Sequence, residues 1–354
     1  MKIMKMIIQI VRKFKILHFL SIFSLSVLFS SGAFGVSELY AEDSVVVYSG
    51  RAERLIKPVL DHFQETTGTT VKLLTAGSTE LVNRLRAEKA RTPADVFITN
   101  EAGALELARS LHLLQPITIS EIATSIPKPF RAPDNSWIGV SGRIWMVVYN
   151  TNMVDPSTIH SLLDLATPTW KGKLAIPSAN SEYLQAGASM VLAAKGEKIA
   201  DAFLQGIRDN AENEVYGKNR QIVDAVAKGK VAVGIVNHYY IFRHLAKDPQ
   251  APIAPLITDQ DKGGMGAIMN VAGIGLTAHA KHVSEANQLI TFLMSPTGQK
   301  MFAHINKEYP LNPKVKADPE LPSSSSFRAS TIPLTQLAEL RDPIIQEIQR
   351  LGLR

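Results

Sequence analysis

The chain has 354 residues and a formal net charge of +6, long enough for two domains with substantial cores. It contains no cysteine, which excludes disulfides, thiolate metal sites, iron–sulfur clusters and cysteine nucleophiles. Its positive charge is concentrated at the start: Lys2, Lys5, Arg12, Lys13 and Lys15 stand against Glu38 alone before residue 42, so most of the excess leaves if that segment is removed. The remainder gives little reason to expect nucleic acid as a partner.

That first segment reads as a secretory signal peptide. A basic stretch precedes "ILHFLSIFSLSVLF", which is too short and serine-rich for a comfortable membrane span, and "ELYAED" offers a small-residue cleavage site after Ala41. With no cysteine to carry a lipid, the mature chain is expected free in the periplasm of a Gram-negative bacterium.

"SVVVYSG" then predicts a strand, "AERLIKPVLDHFQETTG" an amphipathic helix closed by Gly68, and "TVKLLTA" a second strand. "STELVNRLRAEKART" is the next helix, capped by Ser78 or Thr79, before the strand "PADVFIT" and the helix "EAGALELARSLHLL". Strands alternating with helices at this spacing predict a doubly wound α/β sheet. "WIGVSGRIWMVVYN" reads as two extended pieces around a Ser141-Gly142-Arg143 turn, carrying the chain into a second α/β unit.

That unit runs through "KLAIPSAN", two helices from Ser181 to Asp209, "KNRQIVDAVAKG" and "KVAVGIV". "GAIMNVAGIGLTAHA" is a candidate return crossing, two helices follow within 281–305, "ADPELPSSSSFRAS" reads as a solvated linker, and "TQLAELRDPIIQEIQRLG" as a final helix. Two α/β lobes joined by extended crossings suggest a cleft that closes on a small ligand.

One junction stands out. Val231 to Val236 predict a short buried strand, and Asn237 is a suitable N-cap before "YYIFRHLAK". Tyr239 and Tyr240 follow at once, where the chain turns. Spacing leaves two readings open: aromatics filling a helix–sheet corner, or two phenols facing one cleft.

The residues "VVVYSGR", "ETTGTTVKLL", "TPADVFIT", "SGRIWMVVYN", "ATPTWKGKLAIPS", "GKNRQIVDAVAKGKVAVGIVNHYY" and "EYPLNP" carry a resemblance over nearly all of the mature chain. It resembles the periplasmic ferric-iron-binding proteins of bacterial ABC importers. The resemblance implies an α/β, two-lobe periplasmic-binding-protein (type II) fold: two doubly wound domains joined by extended hinge crossings. On that reading the first lobe covers 42–142 and resumes over 272–314, the second covers 143–271, and 315–354 form the linker and terminal helix.

It further implies that Tyr239 and Tyr240 bind Fe³⁺ as phenolates, with Tyr183 as a third in one branch of the family. A hard trivalent cation prefers anionic oxygen, and three phenolates would balance its charge. Free tyrosine ionises near pH ~10, so the metal must displace protons. Family members often hold carbonate or phosphate beside the iron; Arg51, Arg143, Ser178, Asn180, Ser181, Asn219 and Asn237 are the candidate anion site. The expected partners are a membrane permease and its ATPase, and the protein is expected to be a monomer.

The sequence departs from the family at Ala52 and Glu53, where some members place a histidine or a histidine and a tyrosine, and at Asn100, where some place a glutamate; Glu101 is next to it. A six-ligand, all-protein site is therefore not expected. Enzyme motifs such as Gly-x-Ser-x-Gly or His-Glu-x-x-His do not occur, and no catalytic residues are expected. The rival reading keeps the fold and changes the cargo to a phosphonate, thiamine, polyamine or other small solute stacked on the tyrosines.

Overall fold

The computed structural model describes residues 43–353, so the expected signal peptide lies outside the described residues. The chain from Ser44 opens with strand β1 (Ser44–Ser49), helix α1 (Glu53–Thr67), β2 (Thr70–Thr75), α2 (Ser78–Glu88), β3 (Val96–Thr99) and α3 (Ala102–Ser110). α1 ends as its sequence requires, with Gly68 at φ 77° donating its N–H to the Gln64 carbonyl. β1 pairs in parallel with both β2 and β3.

After short β4 (Leu114–Gln115) and α4 (Ile122–Ser125) comes β5 (Trp137–Asn150). The expected turn at Ser141-Gly142-Arg143 is absent, and β5 is one continuous strand of 14 residues. A Ser-Gly doublet reads as a turn, but here glycine serves close approach. Gly142 exchanges backbone hydrogen bonds of 2.7 and 2.8 Å with Tyr309, and a Cβ at Gly142 would sit 2.2 Å from the Met269 side chain.

The second unit contains β6 (Leu174–Pro177), α5 (Glu182–Lys195), α6 (Glu197–Ala211), β7 (Val215–Tyr216), α7 (Asn219–Ala227), β8 (Val233–Asn237), α8 (His238–Leu245) and β9 (Ile253–Leu256). β10 (Met269–Thr277) returns to the first sheet half, followed by α9 (Val283–Met294), α10 (Pro296–Asn306) and α11 (Leu337–Arg350).

The strand order β2-β1-β3-β10-β5-β8-β6-β7 shows why β5 matters. Its first part, to Ile144, pairs with β10; from Trp145 onward it pairs with β8 and β9. One strand thus belongs to both halves. Its alternate residues face opposite sides: Trp145 and Val147 join one core cluster, Ile144, Met146 and Val148 the other. Burial on both faces accounts for its nearly unbroken apolar run.

The stretch expected to be a solvated linker is tied down. Asp318 and Leu321 are buried, Ala329 bridges to Ala267, and Arg328 Nη2 donates to the carbonyls of Asp259, Asp261 and Gly264. Its serines suggested solvent, but the residues flanking them make the contacts.

Candidate metal centre in the cleft

β8 ends at Asn237, and α8 begins one residue later, so Tyr239 and Tyr240 occupy the first turn of a helix. The corner is held by Asn219, whose Oδ1 accepts the Asn237 N–H at 2.9 Å. The two tyrosine rings lie 4.4 Å apart at a 32° tilt. Tyr183 arrives from the first turn of α5, and the Tyr239 hydroxyl donates to its oxygen at 3.4 Å. Three phenols therefore meet at the starts of two helices. Unpaired N–H groups at helix starts favour negative charge, by ~0.3–1 kcal/mol per helix.

Tyr239 is buried, while Tyr240 and Tyr183 keep an opening. Burial pushes the Tyr183 hydroxyl well above the usual tyrosine range, with the neighbouring Tyr240 adding to it and Arg143 pulling the other way. Tyr239 is pushed up in the same direction, first by burial and then by the other two phenols. Both are neutral at pH 7 in the metal-free fold.

β5 and its neighbours build the floor. Arg143 and Trp145, two residues apart, share a face; Asn270 of β10 lies opposite Arg143 and Asn237 of β8 opposite Trp145. These four line a cavity of about 10 Å³ with Tyr183, Ala186, Gly187 and Ile268, room for about one water-sized group. Trp145 Nε1 and the Nδ2 atoms of Asn237 and Asn270 are buried donors with no acceptor among the described residues. The Arg143 guanidinium carbon lies 5.4 Å from the Tyr183 ring centroid, and Arg143 forms no ion pair among the described residues. Asn237 occupies the N-cap position of α8 without capping it, because its side chain makes no such bond.

The other candidates go elsewhere. Arg51 is buried and its Nη2 donates to both carboxylate oxygens of Glu308, at 2.7 and 3.0 Å. Ser178 and Ser181 form the turn leading into α5, bonded N–H to carbonyl within the turn, and Asn180 is exposed. Glu101 caps α3, accepting from the Gly103 and Ala104 N–H groups, and burial followed by the charge of Glu182 pushes its carboxyl up to about 7. Asn100 donates to the Gly50 carbonyl. His238 is fully buried: Nδ1 accepts the Ile144 N–H at 3.1 Å, and burial pushes its pKa down to about 3.

Sequence reasoning missed Trp145, Asn270 and Arg243. The first two carry no local signal, since only strand register brings them together. Arg243 lies one turn beyond Tyr239, and that spacing was available. Burial and the charge of Arg54 hold its pKa down, against the pull of Tyr239, Tyr240 and Glu308.

Two α/β lobes sharing crossing strands, with polar groups converging where those strands change partner, define a solute-binding protein of the two-lobed periplasmic type. The chain belongs to the bacterial extracellular solute-binding protein family, whose model matches residues 45–304. It is 31% identical over 307 residues to the Fe(3+)-binding periplasmic protein of Serratia marcescens, covering 86% of this chain and 90% of that one. It superimposes on the Trichodesmium IdiA (FutA) structure in complex with iron and citrate ligands with a TM-score of 0.78 at 30% identity, covering 88% of this chain and all of that one. For the ferric binding protein of Campylobacter jejuni the TM-score is 0.81 at 27% identity, again over 88% of this chain and 100% of that one.

Proposed function

We propose that this protein captures Fe³⁺ in the cleft between its lobes, through the phenolates of Tyr183, Tyr239 and Tyr240, and delivers it to an ABC permease driven by its ATPase. The observation carrying this reading is the convergence of three phenols, two with oxygens 3.4 Å apart. Among the described residues no three His, Cys, Asp or Glu side chains group as alternative metal ligands. Likeness to ferric-iron-binding relatives over most of both chains supports the same cargo.

Charge counting completes the site. Three phenolates neutralise the ion, and Arg143, buried and in no ion pair among the described residues, together with Arg243 beside the tyrosines, brings further positive charge to the site. That excess calls for an anion, carbonate or phosphate, with one oxygen directed at the donors of Arg143, Trp145, Asn237 and Asn270. Residues 1–41 direct the chain to the periplasm, where it works as a monomeric carrier with no chemical step of its own. The lobes follow the division at residues 142/143 and 271/272, with 315–354 attached to both.

Phenolate-to-iron charge transfer is coloured, so purified metal-free protein titrated with ferric citrate should turn red to orange. The double variant Tyr239→Phe/Tyr240→Phe should stay colourless. Colour unchanged in that variant refutes the ligand assignment.

A further inference from the structure

We infer that Glu182 is a closure latch: its carboxylate caps helix α2 of the opposite lobe, and so couples the grip of Tyr183 on the cargo to closing of the cleft. This rests on the reading of Tyr183 as a ligand. α2 packs against β1 and α3 in the first sheet half, whereas α5 follows β6 and packs against α6. Across the cleft, Glu182 Oε1 accepts the Ser78 N–H at 3.1 Å and Oε2 accepts the Ser78 hydroxyl at 3.2 Å.

The sequence of α2 explains why it needs this partner. The expected caps, Ser78 and Thr79, both lie inside the helix; its N-cap residue is Gly77, which has no side chain to offer. The first-turn N–H groups are left to outside acceptors, and a carboxylate at a helix start is favoured by both charge and hydrogen bonding. Ser78 is held ready: it is 1% exposed, and its hydroxyl packs so tightly on Gly50 that a Cβ there would lie 2.2 Å away.

The next residue is held as well. Arg341 of α11 donates to Thr79 Oγ1 at 2.6 Å. α11 itself lies on α5 and α3 together, reaching both lobes. Consecutive residues at the start of α2 are thus gripped by Glu182 and Arg341, while Tyr183, the neighbour of Glu182, faces the other phenols. One helical turn presents a ligand to the cargo and a carboxylate to the far lobe. Opening the cleft must break the Glu182 contact.

The test is the rate of iron loss to a chelator from ferric-loaded protein, followed by fading of the visible band. Glu182→Ala should keep the band position, since no ligand is touched, and lose iron about tenfold faster. Glu182→Asp keeps the negative charge at the start of α5 but is one methylene too short to reach Ser78. It should lose iron as fast as Glu182→Ala, with the band position again at the parent value. Release within twofold of the parent in Glu182→Asp overturns the latch and leaves the iron reading intact. A parent protein that takes no colour fails the iron reading instead, so the two failures are distinguishable.

Discussion

Acidification should drive iron from this protein steeply, and the structure sets how steeply. Tyr183 and Tyr239 are held above the usual tyrosine value of ~10 by burial, so at neutral pH each carries its proton until the metal displaces it. If both are ligands, at least two protons leave for each Fe³⁺ bound. The apparent binding constant should therefore fall at least ~100-fold for each pH unit of acidification, or ~2.7 kcal/mol. Competition against a chelator of known protonation between pH 6.5 and 8 measures this slope. That window avoids a second effect: His238 is pushed down to about 3, so below its unfolded value of ~6.5 the unfolded chain binds the extra proton and the fold loses stability. For the metal-free fold the tyrosines act with the opposite sign, because above pH ~10 the unfolded chain releases protons that the buried phenols keep. A slope below two protons per iron would refute Tyr183 and Tyr239 as deprotonated ligands.

Three substitutions probe the supporting structure. Gln299 is fully buried and spends its whole amide: Nε2 donates to the carbonyls of Val140 and Leu293, and Oε1 accepts the N–H groups of Leu311 and Asn312. Gln299→Ala should cost ~4 kcal/mol in denaturant unfolding; a loss below ~1 kcal/mol would contradict this. Gly187→Ala would place a Cβ 2.4 Å from the Trp145 ring, so it should cost ~1–3 kcal/mol and shift tryptophan emission. Arg143→Ala should shorten iron retention, and retention equal to the parent in both carbonate and phosphate buffers counts against its anion role.

The alternation of strands and helices was legible because its signals are local: period-two and period-3.6 hydrophobicity, and Gly68 as a helix stop. The Tyr239–Tyr240 corner was legible for the same reason. What escaped is long-range. The Ser141-Gly142 turn was a misreading because the segment around Tyr309, far along the chain, is what makes glycine necessary at 142. Asn237 looked like a cap, but register with Trp145 and the bond its N–H donates to Asn219 Oδ1 hold it in another role. The capping of α2 by Glu182 spans 104 residues, and nothing near Ser78 announces it.

The most direct measurement is anomalous X-ray diffraction at the iron edge, on crystals of the ferric-loaded protein. The account predicts one strong peak bound by the hydroxyl oxygens of Tyr183, Tyr239 and Tyr240, with an anion oxygen on the side of Arg143 and Trp145. A peak elsewhere, or an organic solute stacked between the tyrosine rings with no metal, would contradict it.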